Sequence, residues 1–229
     1  MSEPLQSAAY LIAALGLVTL TWLSLRDNAR IRQARRALFE NAKQALETPE
    51  ITHGADDLPR LRGRFRDRKV VADLIPDTLT IRRLPQLWLS VTLLEKQNNI
   101  EGFAMLVRHA GTEFYSLTNS FAERLDAPVG FPNEILIRGQ SEASQGLIDA
   151  LAQPLAAILA DPRVKEIAVT PKGLRIVRQA AEGRRGEHLL LRQAMFDDAG
   201  VPAADLQRIL YALDGLSTAI KPLAGERAA

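Results

Sequence analysis

Cysteine is missing from all 229 residues, which removes disulfide frameworks, thiolate zinc or iron–sulfur ligation, and cysteine nucleophiles. A chain of this length can bury a core without disulfides, so their absence mildly favours a reducing compartment. Histidine is almost as scarce: there are three, His53, His109 and His188. None stands four residues from another or beside a second ligand type at a metal-binding spacing. His53 with Asp56 and Asp57 comes nearest to a cluster, in a polar stretch that reads as a solvated loop. Gly-x-x-x-x-Gly-Lys-Ser/Thr, Gly-x-Gly-x-x-Gly and Gly-x-Ser-x-Gly are all absent, so no phosphate cradle, dinucleotide fingerprint or nucleophile elbow is written locally. Gly111-Thr112-Glu113 and Gly139-Gln140-Ser141-Glu142 set hydroxyls near carboxylates, a pattern that turns and helix caps explain. The expectation is a non-catalytic protein that needs no cofactor and no metal.

Charge is missing from Pro4 to Leu25, where the run Ala8–Leu25 is dominated by Ala, Leu, Ile, Val, Tyr and Trp. About 20 helical residues cross a hydrocarbon core of roughly 30 Å. Tyr10 and Trp22 lie near the two ends, where amphipathic rings settle at headgroups, and Gly16 is tolerated in such a helix. The residues before the run carry Glu3 and no Lys or Arg, and no small-residue cleavage site precedes Arg26, which argues against a removed secretion signal. Arg26, Arg30, Arg32, Arg35 and Arg36 follow, opposed by Asp27. Basic flanks stay on the cytoplasmic side. The expected topology is therefore a single pass of the inner membrane, with the N-terminus outside and the remainder cytoplasmic.

Four regions follow: tail and transmembrane helix to residue 25, juxtamembrane helix 26–48, linker 49–59, and a soluble domain 60–220. Ile31, Leu38 and Ala45 recur every seven residues, with Ala34 and Ala42 between them, until Thr48-Pro49 ends the helix. That narrow stripe fits a weak self-associating coiled coil, a helix docked on its own domain, or a stalk. In the domain, Leu61–Phe65 and Val70–Leu74 read as strands around the turn Arg66–Lys69. Thr78–Ile81 and Leu87–Leu94 follow, and Phe103–Val107 with Glu113–Leu117 reads as a hairpin around His109-Ala110-Gly111. This part, 60–120, suggests an antiparallel sheet or partly open barrel. In 134–220 the pattern predicts a strand at Glu134–Arg138 and a helix from Glu142 to Ala160, capped by Ser141 and kinked or split by Pro154. A hairpin, Val164–Val177, turns at Thr170-Pro171-Lys172-Gly173. A charged loop (Ala180–Gly186), a strand at Leu189–Phe196 and a helix opened by Val201-Pro202 complete the chain. Leu206, Ile209, Leu210, Leu213 and Leu216 form that helix's apolar face. The fold class is α+β, with two or more helices on an antiparallel or mixed sheet.

The net charge is only +2, yet Arg60, Arg62, Arg64, Arg66, Arg68 and Lys69 are opposed by Asp67 alone. In a strand, period two sets Arg60, Arg62 and Arg64 on one face and Leu61, Gly63 and Phe65 on the other. Such a strip is either a solvated face or a docking surface for anionic lipid, nucleic-acid phosphates or an acidic protein; the alternative function is a membrane-tethered binder of a small anionic ligand or headgroup. Nucleic acid is disfavoured, because no aromatic residues interleave as a stacking platform. Arg82-Arg83 and Arg184-Arg185 repeat the ambiguity.

A strand ending in Ile137-Arg138-Gly139-Gln140-Ser141-Glu142, the leucine-rich helix, the Val164–Val177 hairpin and a final strand plus helix form one constellation. With Leu61-Arg62-Gly63-Arg64 ahead of it, it resembles a group of bacterial membrane-anchored proteins of uncharacterised function, over about residues 58–220. The resemblance implies a C-terminal α+β domain behind an anchor and carries over no catalytic residues. The functional expectation is an interaction or assembly module partnered by the bilayer and by another membrane or cytoplasmic protein.

Overall fold

The computed structural model describes residues 3–54, 58–78, 84–97, 100–183, 196 and 200–226. Helix α1 (Glu3–Arg36) carries the apolar run straight into the basic flank. No described residue covers its apolar run: Leu11 is 72% exposed and Leu15 70%. Thr19 and Thr21 donate to the carbonyls of Leu15 (2.7 Å) and Leu17 (2.8 Å), one turn back. Those hydroxyls therefore add no unsatisfied donor in a medium without water. Among the described residues, this is the one helix long and apolar enough to cross a membrane.

The helix predicted to run on towards residue 48 stops at Arg36. Two 3-10 turns, Ala37–Phe39 and Ala42–Ala45, take over, because Leu38, Phe39 and Ala42 turn into the domain core. The Leu38 carbonyl accepts a 2.7 Å bond from the Val201 amide. This part of the stripe thus docks on its own domain. Strand β1 (Glu47–His53) follows at once, so the stretch read as a linker supplies a strand as far as His53.

The remaining strands are β2 (Pro59–Phe65), β3 (Arg68–Asp77), β4 (Gln86–Leu94), β5 (Phe103–Val107), β6 (Glu123–Leu125), β7 (Ile135–Gly139), β8 (Val164–Thr170) and β9 (Gly173–Glu182). They form one nine-stranded sheet in the order β1-β2-β3-β4-β9-β8-β5-β7-β6, antiparallel throughout. Helices α2 (Ser144–Ala150), α3 (Ala152–Leu159) and α4 (Ala203–Glu226) complete the α+β fold. Alternation puts Leu61, Val70, Leu89, Ile176, Ile167 and Met105 in the core with Leu147, Leu155, Leu206, Leu210 and Leu213 from the helices. At roughly 1.5–3 kcal/mol per buried aliphatic side chain, this layer is the main stabilising term.

Local chemistry sets the connections. Arg66 and Asp67 both have positive φ (49° and 64°), the geometry of a two-residue turn whose twist matches a β-hairpin. The strand therefore resumes at Arg68. The β8–β9 hairpin forms as predicted, and Gly173 (φ 150°) sits where an added Cβ would lie 2.1 Å from the Leu93 carbonyl oxygen. The predicted 142–160 helix breaks at Leu151. Pro154 has no N–H for the Ala150 carbonyl, and its ring crowds that oxygen. The predicted pairing of 103–107 with 113–117 does not occur, because β5 is flanked by β7 and β8. Most of Thr78–Ile81, Leu189–Phe196 and the 180–186 loop's end lie outside the described residues.

Two glycines give opposite expectations. Gly173→Ala should destabilise the protein by about 3 kcal/mol or more, since strand backbone would have to move. Gly215→Ala, in open space within α4, should stabilise it by about 0.5–1 kcal/mol. Denaturant unfolding of the two variants beside the parent measures both.

Candidate functional site

The two halves of the sheet's helix-free face differ. In β8, the register slips between Val164 and Glu166, so Lys165 is an extra residue opposite β9. A bulge of this kind lets neighbouring side chains leave on the same side. Lys165 and Glu166 both do so, away from the helices. The Lys165 ammonium bonds Glu113 Oε1 (2.8 Å) and the Arg108 carbonyl (2.7 Å) and lies 5.9 Å from the Trp88 ring centre. Glu166, fully buried, accepts from Ser116 Oγ (2.6 Å) and the Leu117 amide (2.7 Å), and pairs with Arg175. Arg175 also donates to the Tyr115 carbonyl (2.8 Å), and Arg138 reaches the Phe121 carbonyl.

These contacts strap residues 113–121 across β9, β8, β5 and β7, and Tyr115 packs on Trp88 of β4 and Val177 of β9. Glu113 further accepts from the amides of Ala110 (2.8 Å) and Gly111 (2.9 Å). Burial alone would raise its carboxyl; Lys165 and the Ala110 amide outweigh that and hold it below the ordinary range. Burial, then the carboxylates of Asp77, Glu113 and Glu166, push the Tyr115 phenol up, so it stays protonated. Sequence reading placed a hairpin here. Glu113 was visible only as a turn residue, because its partner Lys165 is remote in the chain.

The rest of that face, β1-β2-β3 and the Ser90–Thr92 stretch of β4, is open as far as Arg175, and the arginine strip divides over it. Arg60, Arg62, Arg64 and Lys69 stand exposed on this side. Arg60 pairs with Asp73 across the strands, and Arg64 lies 3.4 Å from the Asp67 carboxylate. Arg62 and Lys69 make no ion pair among the described residues, although Glu50 stands opposite Arg62 in the register. Arg66 and Arg68 go the other way, to Asp214 on α4. Arg68 is half-buried and also meets Ser217 Oγ (3.0 Å) and Glu95 (3.4 Å). Burial would raise the Glu95 carboxyl, but Ser217, Lys221 and Arg68 bring it below its ordinary value. Arg66 covers the edge-to-face pair Phe65–Tyr211, centroids 5.4 Å apart. These two arginines are clamps between hairpin and helix. On β9, buried Arg178 does the same with Asp161 (2.7 Å) and Asp205 (3.1 Å). Asp161 is held low, Arg178 and the Arg163 amide outweighing burial.

In α1, Arg26 stacks 5.4 Å from the Trp22 ring centre, and Arg35 and Arg36 occupy the last turn with Arg30 and Arg32 behind them. His53, at the end of β1, and His109, in the loop after β5, are both exposed, while His188, Asp56 and Asp57 lie outside the described residues. Among the described residues, no group of three His, Cys, Asp or Glu is placed to hold a metal. A polar cavity of about 440 Å³ opens on the bare half, between the β1–β2 end and Arg175. A second, apolar hollow of about 300 Å³ lies between α3 and α4.

Fold and site together define an antiparallel α+β domain with one polar sheet face left open, behind a single long apolar helix. No family model and no curated protein matches the chain. Among solved structures, the crystal structure of the mycobacterial trehalose monomycolate transport factor A, TtfA, matches 83% of this chain and 94% of that one. The identity is 9% and the TM-score 0.34, a likeness too slight to carry a functional argument.

Two predictions test the strap and the clamps. Lys165→Met should cost about 3–5 kcal/mol, because Glu113 is left charged and buried, and Glu113→Gln added to it should recover part of the loss. Full loss in the double variant would mean that the pair's charges are not what holds the strap. Glu113, Glu95 and Asp161 have lowered folded-state pKa values, so their contribution is complete above the unfolded carboxylate value of about 4 and is lost as pH falls through the depressed values. Tm should therefore be nearly level from about pH 7 to 5 and fall below about pH 4. A Tm that rises on acidification contradicts the assignment.

Proposed function

We propose that this chain is a single-pass inner-membrane protein of bacteria whose cytoplasmic domain is a non-catalytic docking module for an acidic protein surface. The observation that carries the proposal is the uneven cover of the sheet. One half of its helix-free face is sealed by the strap, while the other presents Arg60, Arg62, Arg64 and Lys69 to solvent. An exposed sheet face bearing unpaired Arg62 and Lys69 complements acidic side chains, which would steer and orient a partner. Arg60 and Arg64 lose little by exchanging Asp73 and Asp67 for a partner's carboxylates, since exposed ion pairs are worth about 0–1 kcal/mol.

Membrane placement rests on α1. Its apolar stretch suits a bilayer, and Arg26, Arg30, Arg32, Arg35 and Arg36 favour a cytoplasmic exit. Near the surface each also draws anionic headgroups, worth about 1 kcal/mol. Self-association, if it uses this region, is confined to α1, because Leu38, Phe39 and Ala42 are buried in their own domain.

Cross-linking in native membranes with mass spectrometry of the captured proteins tests this. The full chain should capture a reproducible partner through its domain, and Arg60→Ala/Arg62→Ala/Arg64→Ala should lower that capture about tenfold or more while leaving Tm within a few degrees. Undiminished capture by the triple variant would remove the docking role from this face. Protease shaving of intact spheroplasts should spare the domain; digestion from outside would reverse the topology.

A further inference from the structure

We infer that the polar cavity on the open half-face is a binding site for a compact oxyanion carrying a hydroxyl group, with the chemistry of a glycerol phosphate. Register places its walls. Thr52, Arg60, Asp73 and Ser90 are successive cross-strand partners in one row over β1, β2, β3 and β4. In the next row Thr92 faces Arg175. Adjacent strands are about 4.8 Å apart, so Arg60 and Arg175 flank a floor made of Asp73, Ser90 and Thr92, with His53 at the rim. Its volume, about 440 Å³, is in the range of small-ligand sites, roughly 300–1,000 Å³.

The floor is built of groups with unused capacity. Ser90 is only 5% exposed, and neither its hydroxyl nor that of Thr92 has a hydrogen-bond partner among the described residues. Arg175 is fixed through one nitrogen by Glu166 and the Tyr115 carbonyl, while its Nε–H is buried without an acceptor. A buried donor left unpaired is unfavourable, so this guanidinium is preorganised and not saturated. Arg60 is held by Asp73 alone, in a half-exposed pair that opens at small cost.

Asp73 decides the class of ligand. Two guanidiniums and two hydroxyls favour an oxyanion, but a bare one would meet the Asp73 carboxylate. A ligand hydroxyl turns that contact into a hydrogen bond, in which the hydroxyl donates and Asp73 accepts. The complementary molecule therefore carries an oxyanion and a hydroxyl a few ångströms apart. Two sources supply this: soluble glycerol phosphate, and the headgroup of phosphatidylglycerol.

The inference shares Arg60 with the docking proposal, but its test leaves Arg60, Arg62 and Arg64 unchanged, so the two fail separately. The full chain in phosphatidylcholine nanodiscs is titrated with glycerol phosphate, inorganic phosphate and glycerol by calorimetry. Saturable binding is expected for glycerol phosphate, more weakly for inorganic phosphate, and not for glycerol. Ser90→Ala/Thr92→Val should weaken glycerol phosphate binding about tenfold. Asp73→Asn should strengthen inorganic phosphate and shrink the preference for glycerol phosphate; being near-isosteric at a half-buried position, it reads out even if the double variant folds poorly. Nanodiscs containing phosphatidylglycerol identify the source: lost glycerol phosphate binding there marks the headgroup, and retained binding marks the soluble ester. No saturable binding, or binding indifferent to Asp73→Asn, overturns the inference.

Discussion

One extra residue in β8 decides what the rest of this surface becomes. Without the bulge, Lys165 and Glu166 would leave the sheet on opposite sides, and one of the charges would enter the apolar layer beneath the helices. With it, both emerge on the helix-free face, and each needs a partner brought to it. Glu113, Ser116, the Leu117 amide and Arg175 meet that need. The strap follows from a requirement that buried charges be paired and hydrogen-bonded. Buried ion pairs add little net stability beside an apolar replacement; what this network contributes is position. It fixes which strands are covered and where the cover stops, at Arg175.

The same logic runs on the helical side. Arg66 and Arg68 hold the β2–β3 hairpin to Asp214, and Arg178 holds β9 to Asp161 and Asp205. Apolar packing supplies the attraction between helices and sheet but is tolerant of sliding. Directional charge pairs at the start of α4 (Asp205) and at its middle (Asp214) limit that freedom. A run of alternating arginines thus serves two ends, because strand geometry sends neighbours to opposite faces and the tight turn adds Arg66 to the helical side.

Features carried by short-range pattern were legible in the sequence. The charge-free run, the alternation of Leu61, Gly63 and Phe65 with arginines, the Pro-Lys-Gly turn and the spacing of Leu206 to Leu216 each encode their structure within a few residues. Features set by distant partners were not. Nothing near Phe103 says that β7 and β8 will occupy both its edges, so 113–117 read as its hairpin partner. Glu47–His53 lacks alternation because β1 is a largely exposed edge strand in which Ile51 alone packs on the core, so most of it read as linker. The 26–48 helix was overextended because Phe39 is drawn into a core built by residues much later in the chain. The strip's division between clamp and open surface depended on Asp214, far along the sequence.

The short route from α1 to the core bears on how the open face works. Phe39 and Leu38 are buried within one turn of Arg36, so the described residues contain no slack between helix and domain. If the apolar run ends at the headgroups near Leu25, about 16 Å of helix separates the bilayer from the first core residue. A long flexible tether would spread the domain over a large volume and dilute its face. If α1 spans the bilayer as proposed, a helical one confines it to a thin layer beside the membrane, where the local concentration of any membrane-bound ligand is high. Modest intrinsic affinity suffices there, and a face whose arginines are partly matched by Asp73 and Asp67 is suited to modest affinity. On the docking and ligand readings proposed above, the partial neutralisation would disfavour indiscriminate adhesion to anionic lipid and leave Arg62, Lys69 and the cavity as the points at which a partner or ligand gains.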